Sequence, residues 1–272
     1  MKEFNTNLTL AIFLFALRQW VVNDAGYKDS FRDAAIGLIV AAIATAFIKI
    51  AENQKHIRLW FQSMWHPNRP VRVSMSYLFR IAVDGHFLLI RNHKKPERGF
   101  QPVGGVYKFL QSETSSLFQT LGVVPDTRIR IDEDSRNDLR CTLNQRRNLL
   151  AFLKWFNSKT DRELDPWREF YEELINDEEL LNRADFPYIQ YNYIKQDYEG
   201  IKPPDFFNID EFLYADIILL KPENQRQHEE LRRLFTNRYQ QDKYIFATPD
   251  EIRQGHTADG RAILPHAKKI LC

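Results

Sequence analysis

Pro166–Leu181 reads PWREFYEELINDEELL, and its spacing predicts one continuous amphipathic helix. Asp165-Pro166 at its start supplies an N-cap and a first-turn proline. Glu169, Glu172 and Glu173 stand at i, i+3 and i+4, so on a helix their three carboxylates converge on one face. Such a set suits a hard divalent cation such as Mg2+, which takes oxygen ligands and also binds phosphates. The competing reading is a solvated helix face in which Arg168 pairs with Glu172 at i+4.

Upstream, Gly99–Lys108 (GFQPVGGVYK) carries Gly104-Gly105, a pair that lets backbone approach a ligand or take positive φ. Around these two segments the chain alternates strand and helix signals. Val71–Val83 and His86–Arg91 have strand composition about an Asp84-Gly85 turn. Thr127–Ile131 and Leu139–Leu143 read as a second strand pair, and Arg147–Asn157 has helical spacing. Thr160–Glu163 has the T-x-x-E form of a capping box. Tyr188–Tyr193, Phe212–Leu220 and Tyr244–Ala247 are further strands, Glu223–Gln241 is a charged amphipathic helix, and Thr248–Glu251 caps a last helical turn. Strands and helices in this mixed order predict the α+β class, a mixed-sheet α/β/α sandwich over residues 71–272 with an insertion at about 110–160.

The N-terminal quarter is different. Residues 1–72 hold nine Lys/Arg against five Asp/Glu, whereas the rest holds 29 against 31. Two apolar runs lie here, FNTNLTLAIFLFALRQWVV at Phe4–Val22 and the uncharged AAIGLIVAAIATAFI at Ala34–Ile48. With snorkelling Arg18 and Lys49 at their ends, they predict a two-helix transmembrane hairpin over residues 1–56, with helices at about 4–22 and 33–51. Lys49, Lys55, Arg58, Arg69 and Arg72 follow the second run with only Glu52 opposing them, which places both termini in the cytoplasm. Residues 57–70, with Trp60, Phe61 and Trp65, suit an interfacial linker in contact with membrane lipid. Cys141 and Cys272 are the only cysteines, so a disulfide scaffold is excluded. A formal charge of +2 argues against direct binding of nucleic-acid polymers.

The glycine pair and the Glu helix together resemble the Nudix box, in which a glycine loop precedes a helix of the form REUxEExGU (U aliphatic). Arg168, Glu169, Phe170, Glu172 and Glu173 match; Ile175 and Asn176 replace the glycine and apolar residue that follow. The upstream glutamate of the box falls at Thr160, with Glu163 near it. Between Gly105 and Arg168 lie 62 residues, a far longer interval than in the box. Two membrane helices ahead of a divergent Nudix domain with FQPVGGVYK are similar to the SMODS-associated Nudix effectors of bacterial CBASS anti-phage systems.

That resemblance implies an inner-membrane, multi-pass effector. It would bind a cyclic oligonucleotide made by a partner CD-NTase, assemble into homo-oligomers and injure the membrane. Under it, Arg80, Phe100, Gln101, Gly104, Gly105 and Tyr107 are the expected ligand residues. Lys94, Lys95 and Arg98 would add local cations, and Tyr188, Tyr191 and Tyr193 surfaces on which bases stack. No residue is assigned a catalytic role and no cofactor is required. The alternative is a membrane-anchored hydrolase of nucleoside diphosphate derivatives, with Mg2+ on Glu169, Glu172 and Glu173.

Overall fold

Val71, Val73, Met75, Tyr77 and Phe79 alternate along one strand and all are fully buried, which places them at the centre of a sheet covered on that face. In the computed structural model they form β1 (Val71–Arg80). The structure describes residues 36–45, 53–92, 96–128, 135–204, 208–238 and 242–271. The chain divides into two units, residues 1–61 and 62–272.

β1 pairs in parallel with β10 (Glu211–Lys221), in register from Arg72 opposite Glu211 to Arg80 opposite Leu219. Its other edge is shared by two antiparallel strands. β7 (Arg140–Leu143) lies along the first half and β5 (Gly104–Val106) along the second. β8 (Gln190–Asp197) and the short β9 (Ile201–Lys202) pair with β10, and β6 (Val123–Pro125) with β7, completing a mixed seven-stranded sheet. A smaller sheet holds β2 (Ala82–Val83), β3 (His86–Arg91), β4 (Phe100–Gln101) and β11 (Tyr244–Ala247).

The large sheet buries two different faces. On one, helix Leu149–Ser158 places Phe156 against Tyr107 and Tyr214, and the helix beginning at Trp167 places Phe170 5.6 Å from Phe79. On the other, Leu78, Ala215 and Ile217 join Phe87, Leu89 and Ile245 of the smaller sheet. Helix Pro249–Gln254 and the 3-10 turn Pro265–Ile270 close this second core with Ile252, Ala267 and Ile270. The second layer is therefore a small sheet with short helical turns. Arg72, buried at the start of β1, bonds Asp126 at 2.6 Å and Glu211 at 2.8 Å, which supplies the opposite charge a buried guanidinium needs.

Several local expectations change. Val71–Val83 is not one strand: it breaks at Ile81, and its two parts join different sheets. The Asp84-Gly85 turn does form, with φ of 47° and 76°, the left-handed pair that a two-residue hairpin demands. The partner of β7 is Val123–Pro125; Thr127 and Arg128 are in a turn, and 129–131 lie outside the described residues. No helix begins at Thr160, whereas Thr248 and Glu251 make a complete capping box.

The Glu helix also departs from one regular turn type. It is α-helical only over Trp167–Phe170 and widens to a π-helix over Tyr171–Asp177. The wider turn brings Phe170, Leu174 and Ile175 inward together, and all three are buried.

The expected membrane helix at about 4–22 lies outside the described residues, as do both ends of the one at 33–51. Residues 36–45 of the latter are helical and expose Ile36, Ile39, Val40 and Ile43. Among the described residues, no helix is long and apolar enough to cross a membrane. Helix Gln54–Trp65 exposes Ile57, Trp60, Phe61 and Met64, a stripe at i, i+3, i+4 and i+7, while Leu59 and Ser63 are buried.

Phe170, fully buried between Phe79 and Phe186, anchors the Glu helix to the sheet. Phe170→Ala is expected to lower the unfolding free energy by about 3–5 kcal/mol, read from chemical denaturation of the full chain.

Candidate functional site

Arg168 organises the centre of the domain. Its Nε donates to Glu163 Oε1 at 2.9 Å, its Nη1 to Glu169 Oε1 at 2.6 Å and Glu172 Oε2 at 3.1 Å, and its Nη2 to the Val106 carbonyl at 3.2 Å. One guanidinium thus joins three carboxylates and the end of β5. Glu163 completes the link: its Oε2 accepts from the Lys108 amide at 3.2 Å, and its own amide donates to the Lys108 carbonyl at 2.8 Å. Burial works against the Arg168 charge. The hydrogen bond to Glu163 and the field of Glu169 outweigh it and raise the Arg168 pKa.

The glycine pair packs directly on the Glu helix. A Cβ on Gly105 would lie 2.1 Å from Glu169 Cδ, and one on Gly104 would lie 2.2 Å from the Tyr77 carbonyl oxygen. Gly104 therefore needs the absence of a side chain against fixed backbone, whereas a side chain at Gly105 would require Glu169 to move. The Gly104 amide donates to Glu173 Oε2 at 3.0 Å. Burial pushes the Glu173 carboxyl well above the usual carboxylate range, against that hydrogen bond. Burial also raises Glu169, against the Arg168 charge.

Glu169, Glu172 and Glu173 share one helix, as the spacing predicts, but their oxygens are divided. Arg168 Nη1 lies between Glu169 and Glu172, while Glu173 turns to the Gly104 amide. Among the described residues, no three His, Cys, Asp or Glu side chains stand where they would jointly hold a metal ion. In this arrangement the Arg168 guanidinium occupies the point where the Glu169 and Glu172 oxygens meet.

The six expected ligand residues fall into two groups. Gly104, Gly105 and Tyr107 lie beside the Glu helix. Arg80, Phe100 and Gln101 belong to the layer of the smaller sheet. There the Arg80 guanidinium sits 4.9 Å from the Phe87 ring centre, and Phe100 is only 2% exposed. Gln101 Oε1 accepts from Asn92 Nδ2 at 2.8 Å. Lys94 and Lys95 lie outside the described residues. Arg98 ends a 3-10 turn beside β4, Tyr188 is exposed, and Tyr191 and Tyr193 stand on β8.

Sequence reasoning missed a buried polar cluster next to this centre. Asp216, 7% exposed, accepts the Tyr107 hydroxyl at 2.7 Å and the Tyr214 hydroxyl at 2.8 Å. Burial raises its pKa against those two hydrogen bonds. The Arg162 guanidinium lies 4.7 Å from the Tyr107 ring centre and 3.8 Å from that of Phe156, and its Nε donates to the Phe156 carbonyl at 2.8 Å. The signal was present: an aspartate inside the apolar run FLYADIILL must find partners when the strand is buried.

Because the folded-state pKa of Glu173 lies above its unfolded value, its contribution is fully present at low pH and is lost as pH rises. Glu173→Gln removes the charge and keeps an acceptor for the Gly104 amide. The variant is expected to melt higher than wild type at about pH 8, with the difference closing as pH falls towards about 4. Thermal melts across that range check it.

A search of characterised proteins returned no match, and neither did a search of solved structures. The family model of the SMODS-associated NUDIX domain matches residues 70–271, which takes in both sheets, the glycine pair and the Glu helix. The chain therefore belongs to the SMODS-associated Nudix family, a branch of the Nudix superfamily.

Proposed function

We propose that the protein is the membrane effector of a CBASS antiviral system. Its Nudix domain binds a cyclic oligonucleotide made by a partner CD-NTase and does not cleave it. Binding drives homo-oligomerisation, and the clustered N-terminal helices disrupt the inner membrane, so that the infected cell dies before phage spreads. Both termini face the cytoplasm. Clustering is needed because two helices per chain cannot enclose a pore.

Family membership supports the link to a CD-NTase-type system. The observation that favours a sensor over a hydrolase is the departure from the box: Ile175 and Asn176 stand where it has a glycine and an apolar residue, and Thr160 stands where it has the upstream glutamate. A ligand that is held intact can shift a two-state equilibrium if it binds one state better. The exposed stripe Ile57, Trp60, Phe61 and Met64, on a helix that also carries Lys55 and Arg58, supports contact with an anionic membrane surface.

Full-length protein in dye-loaded liposomes is expected to stay silent alone and to release dye with one of a panel of cyclic di- and trinucleotides. Silence with every member of the panel counts against the effector reading. The Glu172→Gln/Glu173→Gln pair is expected to keep cell killing; loss of a pyrophosphohydrolase activity together with killing would favour the hydrolase.

In a peptide of residues 53–70, which leaves out the proposed spanning helices, Trp60→Glu/Phe61→Glu is expected to weaken partitioning onto anionic vesicles by tenfold or more, given about 1.5–3 kcal/mol for each large apolar side chain buried. Vesicle co-sedimentation reads the change.

A further inference from the structure

A cavity of about 440 Å³ opens on the same face of the large sheet as Tyr107 and Asp216, between β8, β10 and the segment 157–166. That volume lies in the range of sites for small organic ligands, roughly 300–1,000 Å³. Tyr191 and Tyr193 of β8 line it, 36% and 54% exposed. They stand opposite Leu220 and Ile218 of β10, and β8 ends the sheet order. Aromatic rings left half-open on the wall of a cavity offer stacking faces that the protein itself does not use.

The polar groups around these rings are specific in kind. Asn157, Lys159, Arg162 and Gln196 line the same cavity. Lys159 caps helix Leu149–Ser158 with φ 60°, its amide donating to the Phe156 carbonyl at 3.2 Å; its ammonium acts on Asp216 through its field, and among the described residues its side chain makes no hydrogen bond or ion pair. Arg162 is already committed: its guanidinium covers the Tyr107 and Phe156 rings and donates to the carbonyls of Phe156 and Glu163. It therefore forms wall and fixed charge, whereas Lys159 is a cation with capacity to spare. Gln196 Nε2 donates to Asn157 Oδ1 at 3.5 Å, and Asp216 also lines the cavity; open aromatic faces and an ammonium free of side-chain hydrogen bonds match an aromatic heterocycle joined to a phosphate.

We infer that this cavity receives one nucleotide unit, with its base stacked on Tyr191 and Tyr193 and its phosphate beside Lys159. The inference rests on the reading of the domain as a nucleotide sensor and places the ligand away from the carboxylates of the Glu helix. The chain provides a physical link between the two places. Arg162 lines the cavity while its neighbour Glu163 holds Arg168, so a ligand that moves this segment also moves the guanidinium.

The test uses the full-length chain in detergent and isothermal titration with AMP, adenosine and ribose 5-phosphate, plus 3′,3′-cyclic di-AMP. AMP is expected to bind. Tyr191→Ala/Tyr193→Ala should weaken it by about tenfold or more, as for loss of base–aromatic stacking. Lys159→Asn, which tolerates the left-handed conformation, should weaken AMP several-fold and leave adenosine unchanged. Both changes lie at partly open positions, and an unaltered melting temperature confirms the fold. If the tyrosine pair variant and Lys159→Asn bind AMP as wild type does, the cavity is not the site, although the sensor reading stands. If wild type binds neither AMP nor any member of the panel of cyclic di- and trinucleotides, both fall.

Discussion

Five donors of one guanidinium hold the centre of this domain together. Arg168 reaches Glu163, Glu169, Glu172 and the Val106 carbonyl, so the glycine loop, the segment before the Glu helix and the helix itself share one point of attachment. A partly buried guanidinium left short of acceptors would be costly, and carboxylates crowded without a cation would repel one another. Each side of the contact therefore stabilises the other. The chain between Gly105 and Arg168 can be long because closure is fixed by this cluster and by β5 on β1; extending a loop adds only about 0.6 kcal/mol per doubling.

The parallel β1–β10 pair determines what that centre can face. In its register Tyr77 stands opposite Asp216. The same sheet face thus presents aromatic residues to the Glu helix and a buried carboxylate to Tyr107 and Tyr214. The opposite face carries Leu78 and Ile217 into the second core. Strand parity therefore separates residues that are close in sequence: Phe79 meets the Glu helix, whereas Arg80 lies over Phe87.

Local patterns were legible where a short stretch of chain determines its own geometry. Asp84-Gly85, Tyr244–Ala247 and the capping box at Thr248–Glu251 all follow from nearest neighbours. Longer-range facts were not. The T-x-x-E at Thr160 looks like a cap, yet Glu163 is recruited by Arg168 and by the Lys108 amide, partners that no local reading supplies. The π-turn arises because Phe170, Leu174 and Ile175 must all reach the core, a demand set by the sheet beneath them. Arg80 is expected at the ligand as a cation on the early strands and Phe100 as a stacking ring; the division into two sheets places both side chains in the layer of the smaller sheet. Asp216 looked like an interruption of an apolar strand, and its meaning depends on two tyrosines from elsewhere.

The electrostatics of the centre bear on which ligands it tolerates. A phosphate approaching three ionised carboxylates meets strong repulsion in a partly desolvated cleft. Here the cluster is reduced from within: Arg168 supplies one positive charge, and burial of Glu173 favours its neutral form. What a hydrolase would obtain from a bound cation, lower repulsion toward phosphate, is achieved in part by the chain itself.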